Sequence, residues 1–264
     1  MNLEKLCHQV CLLAKETGLF IEQENKKFSQ DKIEVKGLHN FVSYVDKTSE
    51  GKIVDGLIKL IPEAGFIAEE GTSTKKGERY NWVIDPLDGT TNFIHGLPPF
   101  AISIGLMENE EVILGVIYEV NQKECFYAWK GGKAYLDGKI IHVSQAKKVE
   151  DALVATGFPY YDYSKVESFL QTLDYLFFHS HGVRRLGSAA TDLAYVACGR
   201  FDVFYEYSLN SWDVAAGCII VKEAGGHITD FGGGNNFIFG KEIIASNSVV
   251  HDEFQQLIKK IMIS

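Results

Sequence analysis

Hydrophobic residues along the chain follow a helical spacing in some stretches and a β spacing in others, which predicts a protein with both kinds of element. Between residues 3 and 22, apolar side chains recur every three or four positions and predict an amphipathic helix. A second helix is predicted up to Pro62, because proline terminates helices. Residues 65–71 are predicted as a short apolar strand that ends in the paired carboxylates Glu69 and Glu70.

The middle of the chain has the pattern of antiparallel strands. Residues 82–84 are apolar and β-prone, and the strand is predicted to turn at Asp85-Pro86, because Pro86 fixes its own φ and lacks an N–H. Residues 101–106 and 112–118 flank a polar turn and predict a hairpin. Two more short strands are predicted around the pairs Gly131-Gly132 and Asp137-Gly138.

Near residues 144–151 the pattern changes to strands and helices in alternation, which is typical of an α/β arrangement. The predicted elements are, in order, strand 152–157, helix 164–178, segment 183–187, helix 187–199, strand 201–206, helix 211–225, strand 243–247 and a helix from Val249. The change predicts two intimately packed halves. They are an α+β half over residues 1–146, which has an antiparallel sheet, and an α/β half over residues 147–264.

Composition and charge indicate a soluble globular protein whose main partner is not nucleic acid. The chain has 264 residues, 46% of them apolar, and none of its apolar runs is long enough to span a bilayer. Its net charge of −9 argues against nucleic acid as a partner. Five cysteines without a Cys-x-x-Cys pair predict reduced thiols, and the N-terminus is charged where a signal peptide would be apolar. We therefore expect a cytoplasmic protein with no membrane partner.

The run Asp85-Pro86-Leu87-Asp88-Gly89-Thr90 combines the residue types of a site for a metal-bound anion. Two carboxylates three residues apart can bind a cation, Gly89 lets the backbone approach a ligand, and Thr90 or Thr91 can cap a short helix. The N–H groups at the start of such a helix can bind phosphate oxygens. Taken alone, an Asp-x-x-Asp sequence is more often an acidic turn before an ordinary capped helix.

Three stretches together resemble the inositol monophosphatase family. They are residues 85–93, the run Gly187-Ser188-Ala189-Ala190, and the run Trp212-Asp213-Val214-Ala215-Ala216-Gly217, which is followed by Glu223-Ala224-Gly225-Gly226. The resemblance covers nearly the whole chain, with the motifs in the family's order. It implies a layered α/β/α/β/α sandwich, and an enzyme that hydrolyses phosphate monoesters with magnesium.

The resemblance also implies a role for each residue of the site. Metal ligands are implied at Glu69, Asp85, Asp88, Asp213 and the backbone carbonyl of Leu87. The residues implied to orient and deprotonate the attacking water are Glu69, Asp46 and Thr90. Substrate contacts are implied at Asp88, Gly89, Thr90, Gly187, Ser188, Ala189 and Glu206. The implied cofactor is Mg²⁺ or Mn²⁺, and lithium inhibition and a homodimer are implied as well.

Elementary electrostatics agree with a metal at this cluster. Carboxylates that converge to ~4 Å repel one another by ~4 kcal/mol per pair at an effective dielectric of about 20. Cations or bound protons must relieve this repulsion. Because every candidate ligand is an oxygen, Mg²⁺ or Mn²⁺ is expected rather than zinc.

Two positions bear on the substrate. Family members that act on 3′-phosphoadenosine nucleotides commonly have a basic residue after the first threonine of the motif, whereas this chain has Thr91. The charge of Glu206 disfavours a second phosphate on the leaving group. A polyol or sugar monophosphate is therefore expected, with myo-inositol 1-phosphate as the best single candidate. The alternatives are a phosphatase for 3′-phosphoadenosine nucleotides or fructose 1,6-bisphosphate, and a non-catalytic regulatory protein that keeps the fold.

Two further features of the chain concern the surroundings of the site. The family commonly has Asp-Leu-Val-Thr where this chain has Asn40-Phe41-Val42-Ser43, so a charge is missing at an outer position. Arg184 and Arg185 could contact phosphate, but the resemblance implies a subunit contact or strand-edge pairing for them. Glu69, Asp46 and Thr90 are all present, which favours the enzyme over the non-catalytic alternative.

Overall fold

The computed structural model describes residues 1–27, 33–37, 40–159 and 162–263, with the backbone alone for 33–37 and 40–43. The side chain of Asn40, where the sequence departs from the family motif, therefore lies outside the described residues. The first elements are helix α1 (Leu3–Asn25), the antiparallel strands β1 (Ile33–Gly37) and β2 (Asn40–Ser43), and helix α2 (Tyr44–Leu60). Both predicted N-terminal helices are thus confirmed.

The next part of the chain forms a seven-stranded sheet. Its strands are β3 (Gly65–Ala68), β4 (Tyr80–Asp88), β5 (Ala101–Glu108), β6 (Glu111–Glu119), β7 (Glu124–Trp129), β8 (Ala134–Leu136) and β9 (Lys139–Ile140), and helix α3 (Thr90–Ile94) follows β4. They pair in chain order, β3 with β4 in parallel and the others antiparallel. The predicted hairpin is β5–β6. The two further short strands predicted in this region are β8 and β9, while Gly131, Asp137 and Gly138 themselves have positive φ and lie in the turns on either side of β8.

Strand β4 does not turn away at Asp85-Pro86 as predicted, but continues to Asp88. Asp85 pairs with Ser103 and Asp88 with Ala101, so β4 has one more residue than β5 between these two pairs. Pro86, which has no N–H to donate to β5, lies inside this irregular stretch. The strand accommodates the proline as a bulge, and both aspartates lie near its end.

The C-terminal part forms a five-stranded sheet of mixed direction. Its elements are β10 (Leu153–Thr156), α4 (Val166–His179), β11 (Gly182–Arg184), α5 (Ala189–Ala197), β12 (Val203–Tyr207), α6 (Ser211–Glu223), β13 (Gly226–Thr229), β14 (Glu242–Asn247) and α7 (His251–Ile258). The strand order is β11-β10-β12-β14-β13, with β10 parallel to β11 and β12, and β14 antiparallel to β12 and β13. The sequence predicted this alternation of strands and helices but did not predict β13.

Helices and sheets stack in five layers. Helices α1 and α2 pack on one face of the seven-stranded sheet, and α5 and α6 lie between the two sheets. On the outer face of the five-stranded sheet, α4 and α7 close a third apolar cluster that includes Phe169, Tyr205 and Phe254. This is the layered α/β/α/β/α sandwich that the family resemblance implied.

A glycine on β6 lets α6 approach the seven-stranded sheet. A Cβ on Gly115 would lie 2.4 Å from the backbone oxygen of Ala216, so no larger residue fits there without moving the helix. On the same helix, Gly217 faces Leu193 of α5, and a Cβ there would lie 2.5 Å from the leucine Cβ. This tight packing fixes α6, and with it the position of Asp213 in the helix's first turn.

Candidate active site

Three aspartates from distant parts of the chain converge at one cavity. Asp85 and Asp88 lie near the end of β4, and Asp213 lies in the first turn of α6. One carboxylate oxygen from each lies within 4.8 Å of the other two. Glu69, which follows β3, lines the same cavity, and its backbone N–H donates a hydrogen bond to the carbonyl of Ile84.

Hydrogen bonds orient each aspartate of this cluster. The N–H of Leu87 donates to Asp85 Oδ1 over 2.9 Å. Asp88 Oδ2 accepts from the hydroxyl of Ser188 over 2.6 Å and from the N–H of Ala190 over 2.7 Å. At the start of α6, the N–H of Asn210 donates to Asp213 Oδ2 over 2.7 Å. The carboxylates are therefore positioned by the backbone before any ligand binds.

Burial and mutual repulsion disfavour the ionised form of the carboxyl groups in this cluster. Burial, with Asp213 and Asp46 close by, raises the pKa of Glu69 to about 8. Burial also raises the pKa of Asp88 to about 6, against the hydrogen bonds from Ser188 and Ala190 that lower it. The pKa values of Asp85 and Asp213 lie well above the ordinary range for the same main reason, burial, with added repulsion from neighbouring carboxylates. Oxygen donors that hold protons so tightly are suited to a hard divalent cation.

Thr90 begins α3 and links the acidic cluster to α2. Its hydroxyl lies 3.1 Å from Asp46 Oδ1 and 3.0 Å from the carbonyl oxygen of Leu87. The prediction that a threonine caps this helix is wrong: Gly89 occupies the cap position with φ +90, and no side chain caps it. Glycine is required there for two reasons, since a Cβ would also lie 3.0 Å from the carbonyl oxygen of Pro99.

The other predicted substrate contacts come from the C-terminal part of the chain. Gly187, Ser188, Ala189 and Glu206 all line the cavity. Ser188 is the N-cap of α5, and its side chain accepts a hydrogen bond from the N–H of Thr191. Glu206, on β12, is 7% exposed, and burial raises its pKa to about 8. The structure thus brings every residue of the predicted site except Asp46 to this cavity, and Thr90 connects Asp46 to it.

Several residues of the cavity wall were not predicted from the sequence. They are Gly157, Phe158, Arg185, Tyr207, Ser208, Leu209, Asn210 and Trp212, whereas Thr91, which the sequence analysis connected with the substrate, does line the cavity. Arg185, expected at a subunit contact or strand edge, lies on the cavity wall with its guanidinium 5.2 Å from the centre of the Phe158 ring. Its charge lowers the pKa of Glu206 and of Asp88 against the larger effect of burial. The only hint in the sequence is that Arg185 directly precedes Leu186-Gly187-Ser188.

Comparison with known proteins agrees with this geometry. A model of the inositol monophosphatase family matches residues 2–262. The chain belongs to the inositol monophosphatase family. It is therefore a phosphatase that hydrolyses phosphate monoesters, and the acidic cluster fits the metal dependence of inositol monophosphatases.

Individual members of the inositol monophosphatase family are similar over most of the chain. A fructose-1,6-bisphosphatase/inositol-1-monophosphatase from Aquifex aeolicus is 38% identical over 262 residues, which cover 99% of this chain and 98% of the relative. The Nus factor SuhB of Escherichia coli is 42% identical over 213 residues, which cover 80% of each protein. The solved structure of an inositol monophosphatase from Thermotoga maritima matches with a TM-score of 0.87 at 36% identity, and covers 98% of both chains. No helix among the described residues combines the length and the apolar character needed to cross a membrane.

Proposed function

We propose that this chain is a Mg²⁺-dependent phosphatase for a polyol or sugar phosphate monoester, with myo-inositol 1-phosphate as its best single substrate. The observation that carries this proposal is the cluster of Asp85, Asp88 and Asp213, whose ligand atoms lie within 4.8 Å of one another beside the Thr90–Asp46 pair. Mn²⁺ is the alternative ion, because it accepts the same oxygen donors.

The residues divide into metal ligands and groups that act on water. Glu69, Asp85, Asp88, Asp213 and the carbonyl of Leu87 hold the metal, which supplies positive charge to the phosphate and to the developing oxyanion when bound. Thr90 and Glu69 orient the attacking water. The proton of the water passes to Thr90 Oγ1 as the threonine gives its own proton to Asp46 Oδ1, 3.1 Å away.

The remaining site residues bind the two ends of the substrate. The N–H groups of Gly89 and Thr90 donate to phosphate oxygens, and the phosphate also lies against Asp88. Gly187, Ser188 and Ala189 line the side on which the alcohol leaves. Glu206 accepts hydrogen bonds from hydroxyl groups of that alcohol.

The choice of substrate rests on the neutrality of Thr91 and on the buried carboxyl group of Glu206, which forms hydrogen bonds with hydroxyl groups in either protonation state and has no positive charge to attract a second phosphate. Fructose 1,6-bisphosphate is the first alternative, since relatives from Aquifex aeolicus and Thermotoga maritima are named for both activities. A panel of myo-inositol 1-phosphate, glycerol 2-phosphate, fructose 1,6-bisphosphate and a 3′-phosphoadenosine nucleotide, each assayed with Mg²⁺, tests the choice. We expect the highest kcat/KM for myo-inositol 1-phosphate. A clear preference for either doubly phosphorylated compound would contradict this choice of substrate.

A regulatory role is the second candidate, because relatives that are 39–42% identical are named Nus factor SuhB. In this case the chain would keep the fold as a binding protein. The same panel separates the two functions, since a non-catalytic protein would release no phosphate from any compound with Mg²⁺.

Four further properties belong to the proposal. A homodimer is supported by the apolar surface of α4, where Leu170, Phe177 and Phe178 are 57%, 66% and 77% exposed. A cytoplasmic location is supported by five free cysteines. The proposal also includes inhibition by lithium and a division into two halves between residues 146 and 147. Light scattering of the purified protein tests the dimer, and a single monomeric mass at micromolar concentration would contradict it.

A further inference from the structure

A second cavity of about 550 Å³ lies directly beside the active-site cavity. The two share five lining residues, namely Glu69, Tyr207, Ser208, Asn210 and Trp212. We call the second one the leaving-group cavity, and its other lining residues are Asp162, Lys165, Gly240, Lys241 and Glu242. Because the cavities share a wall that includes a candidate metal ligand, one substrate molecule can extend from the first into the second.

The sizes of the two cavities indicate that the substrate extends in this way. The active-site cavity alone measures about 120 Å³, whereas sites for small molecules commonly measure about 300–1,000 Å³. The leaving-group cavity falls within that range. The active-site cavity falls below the range, so it reaches the usual size of a ligand site only together with the adjoining leaving-group cavity.

Apart from Glu69, which belongs to the acidic cluster of the active site, the charged residues of the leaving-group cavity balance one another. Lys165 Nζ lies 2.7 Å from Glu242 Oε2, and these two side chains are only 34% and 19% exposed. Lys241 and Asp162 add one charge of each sign. Hydrogen bonds from Ser164 lower the pKa of Asp162, and the charges of Lys165 and Lys241 lower it further. With two cations and two anions, the formal charges of these four residues cancel. Such a wall offers hydrogen-bond donors and acceptors to hydroxyl groups, and no net attraction for a second phosphate.

Tyr207 has a hydroxyl that the protein itself does not satisfy. The residue is 4% exposed, and within the part of the chain that the structure describes its hydroxyl makes no hydrogen bond. Buried hydroxyl groups almost always have a partner. Because this oxygen is itself almost wholly buried, a ligand hydroxyl at the shared wall becomes its partner only when the neighbouring side chains shift slightly.

The backbone is strained where the two cavities meet. Ser208 and Lys241 have φ of +68 and +64, a left-handed conformation that residues other than glycine rarely adopt. They directly follow and precede Tyr207 and Glu242, which pair as the last residues of the β12–β14 ladder. Strain of this kind concentrates at ligand sites, because the surrounding structure must hold it in place.

We propose that the leaving-group cavity binds the distal ring of a neutral, polyhydroxylated alcohol larger than one ring, such as a disaccharide, while its phosphate occupies the active-site cavity. This proposal rests on the phosphatase function proposed above. Lys165, Glu242 and Tyr207 bind the distal hydroxyl groups through hydrogen bonds, two of them with charged partners. Inositol 1-phosphate fills only the first cavity.

The Mg²⁺-loaded enzyme and three substrates test the proposal. Glucose 6-phosphate and trehalose 6-phosphate have the same phosphate ester but differ by one sugar ring, and myo-inositol 1-phosphate reports on the phosphatase function itself. We expect a KM about tenfold lower for trehalose 6-phosphate than for glucose 6-phosphate, the gain of about one hydrogen bond to a charged group. Equal kcat/KM for the two sugar phosphates would overturn the proposal.

Two variants locate the contact. Lys165→Met and Tyr207→Phe should each remove most of the advantage of trehalose 6-phosphate over glucose 6-phosphate. Lys130→Met is the matched control, since Lys130 forms an exposed ion pair with Glu111 away from both cavities. A variant that lowers kcat/KM for both sugar phosphates by the same factor would overturn the proposal. Because Tyr207→Phe removes only one oxygen, it provides this test even if Lys165→Met fails to fold. If the wild type releases no phosphate from any of the three compounds, the proposed function fails and this inference fails with it.

Discussion

Thr90 occupies the position in which a small hydroxyl can act on water. A threonine hydroxyl has one proton to donate, and Asp46 Oδ1 at 3.1 Å and the carbonyl of Leu87 at 3.0 Å are its acceptors. With the proton directed to either acceptor, the lone pairs of Oγ1 are available to a water molecule in the cavity. The hydroxyl is thus held by contacts made before substrate binds.

Replacing Thr90 by alanine should lower kcat by roughly 10²–10⁴-fold and change KM much less, because proton transfer in the transition state is lost while the phosphate contacts remain. Steady-state kinetics with myo-inositol 1-phosphate measure the two parameters. Thr90→Ser is the matched control and should restore most of the rate, since it keeps the hydroxyl. A large rise in KM at unchanged kcat would instead make Thr90 a binding residue.

Asp213→Asn should remove more than about 99% of the turnover while leaving the protein folded, because loss of a metal ligand costs more than the 10–100-fold typical of outer contacts. Asparagine keeps an oxygen that can accept the hydrogen bond from the N–H of Asn210. Phosphate release and circular dichroism are the two measurements. Asp137→Asn, at an exposed ion pair with Lys15, is the control and should retain full activity. Wild-type rates in Asp213→Asn would contradict its assignment as a ligand.

For individual residues, the sequence predicted which side chains come together in the active site, but only through the family motifs. Asp85 and Asp88 are neighbours in the chain, whereas nothing local to Asp213 distinguishes it from an ordinary aspartate in the first turn of a helix. Arg185 was missed because its place on the cavity wall depends on the fold of β11 and α5. The predicted threonine cap was wrong because the Thr90 hydroxyl bonds to Asp46, which is 44 residues away.

Helix α6 connects the two sheets and sets the position of Asp213. It packs against β5 and β6 on one side and against α5 on another. Gly115 on β6 is the closest approach, since its Cβ position is 2.4 Å from Ala216 O and 2.7 Å from Ile219 Cγ2. Any side chain at this point must push against helix backbone, which cannot rotate away.

Gly115→Ala should therefore destabilise the protein by about 1–3 kcal/mol, the usual cost of overpacking a core. At about 2–4 °C per kcal/mol for a chain of this size, the melting temperature should fall by several degrees. Gly51→Ala on α2 is the matched control, because among the described residues no atom outside its own stretch of helix lies within 4 Å of its Cβ position. It should leave the melting temperature unchanged or slightly higher. Equal melting temperatures for the two variants would show that α6 can shift to accommodate the added methyl group, so that Gly115 does not fix its position.

The elements themselves were largely predictable, because α1, the β5–β6 hairpin and α5 have strong apolar periods or clear end signals. The course of β4 beyond Pro86 was not, since it depends on pairing with Ser103 and Ala101 of another strand. Strand β13 was missed because it is only four residues long, and all four pair with β14. Such short strands are defined by their partners rather than by their own sequence.

At the scale of the whole molecule, the main electrostatic feature is the group of buried carboxyl groups in the active-site cavity. Both halves of the predicted division contribute carboxylates to the cavity, and the net charge is −9. The layered order was predicted from the family resemblance, since neither composition nor periodicity defines how two sheets stack. A protein built in this way should be sensitive to pH whenever its metal is absent.

The metal-free protein should lose stability as the pH rises from about 5 to about 8. In the folded state the pKa is about 8 for Glu69 and Glu206 and about 6 for Asp88, against 4.5 and 3.8 as ordinary values for Glu and Asp. Between these limits the folded state binds more protons than the unfolded state, so the free energy of unfolding falls as pH rises. Mg²⁺ should stabilise the protein more at the upper end, where the ligands are ionised. Calorimetry across this pH range, once with EDTA and once with Mg²⁺, tests both the predicted loss of stability and the predicted stabilisation by Mg²⁺. A melting temperature that rises with pH in EDTA would show that the carboxyl groups are already ionised without metal.

The central claim is that a metal held by Glu69, Asp85, Asp88 and Asp213 makes this chain a phosphatase. Its most direct test is phosphate release from myo-inositol 1-phosphate by one EDTA-treated preparation, measured before and after Mg²⁺ is added back. We expect no release above background without metal, and full, saturable recovery with Mg²⁺ in the wild type but not in Asp213→Asn. Full activity in EDTA, or no activity with any concentration of Mg²⁺, would contradict the claim.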